Sequence, residues 1–201
     1  MSSIKLKHSG GNAVSLHPPT SAPSASDVQF KLPTADGSAN QVIKTDGSGN
    51  LAFAGLVEPP AFHANKTSPY QAIAHNSDVV ITFETEVFDS NSFYDTSTSR
   101  FTPTIAGYYF VNANVGFSNA TGEYYFAIHL FKNGTRVSRG GNWNDGSNQN
   151  VNVRNSSIIG FNGSSDYVDV RCYQNSGGNI TINNGDNGAQ TFFEAFYIRG
   201  L

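Results

Sequence analysis

In the last two thirds of the chain, apolar residues come in short runs closed by turn residues, and no window repeats them every 3.6 positions. The clearest runs are 79–84, 108–117, 124–132, 151–161, 167–173, 180–182 and 192–199, punctuated by Asn133-Gly134, Asp145-Gly146 and Gly177-Gly178. Short, regularly spaced strands without helices predict an all-β, antiparallel sandwich or barrel. Two runs carry more. In 124–131 one face reads Tyr124, Phe126, Ile128, Leu130 and the other Tyr125, Ala127, His129, Phe131. In 192–198 the faces read Phe192, Glu194, Phe196, Ile198 and Phe193, Ala195, Tyr197. A sheet with one wet face alternates apolar and polar residues, so a strand that is apolar on both faces needs a second cover. With no helix to supply it, a subunit interface is expected, and Tyr125, His129, Phe131, Phe193 and Tyr197 are its candidate residues.

The first sixty residues differ. They are poor in aromatics and hold six of the eight prolines. His17-Pro18-Pro19-Thr20-Ser21-Ala22-Pro23-Ser24 cannot be helical, and its prolines interrupt a ladder, so it should run extended. Strand candidates are 4–7, 28–32, 41–45 and 51–53, with Asp46-Gly47-Ser48-Gly49-Asn50 as a hairpin turn between the last two. Such a segment buries too little apolar surface to stand alone. Glu58-Pro59-Pro60 marks the boundary, which gives an attachment arm (1–57) and a head (58–201). A flexible tail is the plainer alternative for the arm.

Composition narrows the function. Charged residues are only 13% against 38% hydrophobic, and Gly, Ser, Thr and Asn fill the gap, as many turns require. Net charge is −3 with no basic block, which argues against a nucleic-acid partner. No apolar run approaches the ~18 residues of a membrane span, so no membrane insertion is expected. The N-terminus has no apolar stretch of signal-peptide length, so assembly in a cytoplasm is expected. The Asn-x-Ser/Thr triplets at Asn65, Asn133 and Asn162 then read as Asn-rich loops. The single cysteine, Cys172, alternates with Val168 and Val170 and reads as a small core residue.

No catalytic set stands out. The histidines His8, His17, His63, His75 and His129 are scattered without metal-ligand spacing, and there is neither a Gly-x-Ser-x-Gly elbow nor a phosphate loop. Acidic residues such as Glu84, Glu86 and Asp166 sit at strand ends, so an enzyme is not expected. Calcium is the one cofactor to weigh: 144–150 and 183–187 gather oxygen ligands, but without the charge density of a strong site, and ordinary Asn/Gly turns account for them better. Asn142, Trp143, Asn144 and Asp145 suit a sugar, the ring stacking on its apolar face and the amides bonding hydroxyls. A loop Trp143 folded onto its own barrel is the simpler alternative.

Phe83, Asp89, Tyr94, Phe101, Gly107 and Tyr109 fall at the intervals of a known signature. Pro60-Ala61-Phe62-His63-Ala64 and Thr191-Phe192-Phe193-Glu194-Ala195-Phe196 flank it like a first and a last strand. Residues 60–201 therefore resemble the globular head of complement C1q, a jelly roll related to tumour necrosis factor, with Val111 and Ala113 replacing the family's usual aromatics. The resemblance implies core aromatics Phe101 and Tyr109 on neighbouring strands, Gly107 in a tight turn between them, and a homotrimer. The segment 30–51, FKLPTADGSANQVIKTDGSGNL, resembles one recurrent in bacteriophage virion and tail-fibre proteins. Together they lead to an expected role: a trimeric fibre or spike on the virion, held to other virion proteins by residues 1–57, with a host-surface glycan as ligand. A capsid decoration (cement) protein stabilising the head is the alternative. A free lectin-like module and a depolymerase stand further off.

Overall fold

Two short antiparallel hairpins form the regular structure of the first unit, Met1–Glu58: β1 (Ile4–Lys7) with β2 (Ala13–Leu16), and β3 (Gln41–Thr45) with β4 (Leu51–Gly55). The computed structural model describes residues 4–11, 13–17, 19–21, 28–55, 58–68, 70–120, 122–146, 149–183 and 190–201, and every regular element among them is a strand. The β3–β4 turn forms where Asp46-Gly47-Ser48-Gly49-Asn50 predicts it. Asp46 Oδ1 accepts from the N–H groups of Ser48 at 2.8 Å and Asn50 at 3.1 Å, and Gly49 takes the left-handed φ of +87°. The expected strand 28–32 does not form. Lys31 makes only an isolated bridge to this turn, donating to Gly49 O and accepting from Leu51 N, both at 2.8 Å. Ile4, Leu6, Leu16, Val42 and Ile43 all stay exposed, as a segment without its own core must leave them. Of the run 17–24, expected to be extended, residues 18 and 22–24 lie outside the described residues, and 17 and 19–21 belong to no strand.

In the second unit, Pro59–Leu201, alternation builds a two-layer sandwich. Its first strands are β5 (Ala61–Asn65), β6 (Gln71–Ile73), β7 (Val79–Val80), β8 (Thr85–Asp89), β9 (Tyr94–Asp95) and β10 (Arg100–Phe101). Then come β11 (Gly107–Ala120), β12 (Tyr125–Lys132), β13 (Thr135–Trp143), β14 (Gln149–Phe161), β15 (Val168–Gln174), β16 (Ile180–Ile182) and β17 (Phe192–Arg199). One sheet runs β6-β16-β11-β17-β5-β8, with β14 along the other edge of β11. The other runs β13-β12-β15-β10-β9, with β7 also on β15. Tyr109, Val111, Ala113, Val115 and Phe117 of β11 face Phe126, Ile128 and Leu130 of β12 and Val168, Val170 and Cys172 of β15 across a dry core.

Aromatics dominate that core. The Phe62 ring stacks on Phe101 at 4.6 Å and Tyr94 at 4.9 Å and meets Phe193 edge-on at 4.9 Å. Each such side chain contributes roughly 2–3 kcal/mol by burial. Phe101 and Tyr109 do meet, with centroids 5.5 Å apart, but from facing sheets rather than neighbouring strands. Gly107 is not in a turn either. It begins β11, where a Cβ would overlap the Tyr197 ring and the Arg199 carbonyl, so close approach is its reason. A polar knot closes one edge. Buried Lys66 donates through Nζ to Glu84 Oε1 at 2.9 Å and Thr82 Oγ1 at 3.1 Å. Burial opposes ionisation of Glu84, but hydrogen bonds from Ser68, Lys66, Thr82 and Thr67 outweigh it and hold the carboxyl at about 2.

Candidate functional site

Asn133 and Gly134 take φ values of +52° and +78°, the two-residue turn that folds β13 back on β12. β12 sends Phe126, Ile128 and Leu130 into the core, so Tyr125, Ala127, His129 and Phe131 face outward. Register places Trp143 opposite Tyr125, Gly141 opposite Ala127 and Arg139 opposite His129 on β13. On β15 it places Tyr173 opposite Ala127 and Arg171 opposite His129. Gly141 is required here, because a Cβ would overlap the Tyr125 hydroxyl lying across β13. β7 pairs with β15 at Val79–Cys172 and so delivers the preceding residue, Asp78, to His129.

The result is a cavity of about 490 Å³ lined by Asp78, Tyr125, His129, Arg136, Arg139, Trp143, Tyr173 and Asn175. His129 is its buried floor, with 2% of its side chain exposed, and its Nδ1 lies 2.5 Å from Asp78 Oδ1. A carboxylate at that distance needs a donor, so the proton sits on Nδ1 and Nε2 presents a lone pair. Burial depresses the His129 pKa, and the nearby Arg136 and Arg139 press the same way against the pull of Asp78, which favours the neutral ring. Arg139 Nε donates to Tyr125 Oη at 3.0 Å, and its guanidinium sits 4.8 Å from the Tyr125 ring centre.

The outer face of the other sheet differs. Register aligns Ala61, Phe196, Phe110 and Ile158 in one row across β5, β17, β11 and β14. Phe196 is 50% and Ile158 62% exposed, the Phe110 and Phe196 rings lie 5.3 Å apart, and Ile198 and Phe88 add further exposed apolar surface. The adjacent row is polar and internally paired. His63 Nδ1 meets Glu194 Oε2 at 2.8 Å, and Asn112 Nδ2 donates to Glu194 Oε1 at 2.7 Å.

The expected interface residues scatter. Phe193 is wholly in the core and Tyr197 packs edge-on against Tyr109 at the core margin, so neither offers the face assigned to it. The outward apolar side chains of that strand are Phe192, Phe196 and Ile198, because the inward face of β17 is the one that pairs Ala195 beside Val111. Phe131 is buried beneath the Arg171 guanidinium at 4.0 Å, while Tyr125 and His129 belong to the cavity. Of the expected sugar residues, Trp143 ends a strand rather than sitting in a loop, and at 60% exposure it is not folded onto the barrel. Asn144 is buried and binds its own turn, its N–H donating to Tyr124 O and its Nδ2 to Gly122 O. Asn142 and Asp145 are exposed beside it. Asp78, Arg136, Arg139, Tyr173 and Asn175 were not expected. Among the described residues no group of three or more His, Cys, Asp or Glu is placed to hold a metal, and parts of both calcium candidates lie outside those residues.

Two antiparallel sheets closed around an aromatic core, with long strands facing each other, define a jelly-roll head. The chain belongs to the C1q domain family, whose pattern matches residues 61–192. No curated protein matches the chain in sequence. Among solved structures, it is similar to the globular domain of the zebrafish complement 1qA protein, at 14% identity and a TM-score of 0.52, covering 71% of this chain and 99% of that one. It is also similar to the Eiger TNF of S. frugiperda, at 10% identity and a TM-score of 0.52, covering 72% and 96%. Murine APRIL at pH 5.0 follows, at 12% identity and a TM-score of 0.51, covering 70% and 100%. At these identities the likeness is one of fold.

Proposed function

We propose that the protein is a non-enzymatic, homotrimeric binding head on the surface of a bacteriophage particle, a short fibre or spike attached through its first unit. The observation that carries the trimer is the apolar row Phe196–Phe110–Ile158 on the outer face of one sheet. No described residue of the unit Pro59–Leu201 covers it, and a patch of this kind marks an interface. The cavity lies on the outer face of the opposite sheet, so assembly through the apolar row leaves it open to a ligand. Three cavities per trimer raise avidity for a repetitive host surface even where each contact is weak. The phage assignment rests on the segment 30–51 and on the change in composition at Glu58-Pro59-Pro60. The experiment is deletion of residues 1–57. The remaining head is expected to stay trimeric by sedimentation and to be missing from particles assembled with it. A head that becomes monomeric, or one that still joins the particle, overturns the division of labour.

A further inference from the structure

The cavity of Trp143 and His129 combines three kinds of chemistry that an assembly surface does not need. The first is an unpartnered acceptor. His129 is 2% exposed, its Nδ1 is engaged by Asp78, and its Nε2 has no hydrogen-bond partner. Leaving a buried polar atom unpaired is costly, which points to a ligand that donates there. A neutral imidazole nitrogen accepts an O–H or N–H but repels an anion, so the group over His129 is a hydroxyl or an amide. The second is a cationic rim. Arg136 and Arg139 line the same cavity, and among the described residues neither is ion-paired to a carboxylate. Arg171, by contrast, is paired with Asp169 at 2.7 Å. Asp78 is the one acid in the lining, so two guanidiniums outweigh one carboxylate. The third is an aromatic wall. The Trp143 and Tyr125 rings lie 6.2 Å apart, with Trp143 60% exposed where burial would be the stable choice.

A single ligand satisfies all three: a ring with apolar C–H faces, hydroxyl donors and one carboxylate. We propose that this cavity binds an acidic sugar, its carboxylate on Arg136 and Arg139, a hydroxyl donating to His129 Nε2 and its ring face against Trp143. This rests on the reading of the protein as a binding head and supplies the ligand class. A neutral sugar leaves both arginines unused, and a simple anion leaves His129 Nε2 and the aromatic wall unused. A planar guanidinium pair suits a carboxylate, which it holds through two parallel hydrogen bonds. Asn175 adds a polar group at the rim, its Oδ1 already held by the Tyr125 N–H at 2.7 Å. The volume of about 490 Å³ takes a mono- or disaccharide.

Trp143 is the only tryptophan, so fluorescence of the full chain excited beyond the tyrosine absorption band reports on this cavity. The titrants are the methyl glycosides of glucuronic acid and of N-acetylneuraminic acid, each with its carboxylate free, together with methyl glucoside and sodium acetate. At least one of the two acids is expected to perturb Trp143 at a concentration tenfold or more below that needed for the glucoside or acetate. The Arg136→Gln/Arg139→Gln double variant, altered only at exposed positions, is expected to keep its fold and lose that preference. Acids no better than the glucoside, an acetate response equal to theirs, or a preference that survives loss of both arginines would each overturn the proposal. The sedimentation mass of the same samples separates the two readings. A trimer that ignores the acids refutes the ligand class alone, and a monomer that binds them refutes the trimer alone.

Discussion

Replacing Phe196 by serine tests the apolar row where it can be measured. Half of this side chain is exposed in the isolated chain, and half of a phenylalanine surface is on the order of 100 Å². Covering it in an interface contributes about 2.5 kcal/mol per subunit at ~25 cal/mol per Å². A symmetric trimer has three copies, so Phe196→Ser removes about 7 kcal/mol, or roughly five powers of ten in the trimer association constant. The fold itself loses little, since the ring lies outside the core cluster. Val137→Ser is the control: it removes a similarly exposed apolar side chain (45%) from the opposite sheet. Sedimentation equilibrium over a wide concentration range should find Phe196→Ser largely monomeric where the parent and Val137→Ser are trimeric, with all three giving the same all-β circular dichroism and Phe196→Ser melting lower, as loss of assembly requires. Equal assembly of the two variants would refute the placement of the interface on this face.

Three further outcomes follow from the fold. Phe62→Ala empties the centre of the aromatic cluster and should cost about 3–5 kcal/mol in urea unfolding; a loss under 1 kcal/mol would mean that the rings do not pack as described. Gly107→Ala forces the Tyr197 ring and the Arg199 carbonyl apart and should cost about 1–3 kcal/mol, read as a lower melting temperature. Glu84 has a folded pKa depressed to about 2 from its ordinary 4.5, so its stabilisation is complete above 4.5 and fades as pH falls towards 2. Partial exposure reduces this to about 1–2 kcal/mol, and Glu84→Gln should flatten the acid limb of stability in that window; an unchanged acid limb would show that the carboxyl is not held down.

The sandwich and most of its strands were legible because alternation and turn residues are local signals. β13 was not. Its run Thr135–Trp143 holds two adjacent glycines and mostly exposed side chains, so no apolar period marks it. Asn133-Gly134 announces the hairpin, but counting outward from the turn puts Ser138 opposite His129, and a bulge between Leu130 and Phe131 shifts the true partner to Arg139. Asp78 was invisible because 51 residues separate it from His129, and only the pairing of β7 with β15 joins them. The two-faced strand 192–198 shows a different limit. Period two sorts Phe193 from Phe192 and Phe196 but does not say which set points inward, and that is decided by the partners Ala113 and Val111 on β11. Gly107 was found for the wrong reason, since close packing and a positive φ leave the same mark on a sequence.

The proposed role puts this head on a phage particle as part of a trimeric spike or fibre. Gold-tagged antibody against residues 59–201, applied to intact virions and viewed by electron microscopy, decides it. Gold confined to the tail or its appendages is the predicted result. Gold spread over the capsid would contradict the fibre assignment and make this a decoration protein, and virions that carry no gold would contradict the virion assignment altogether.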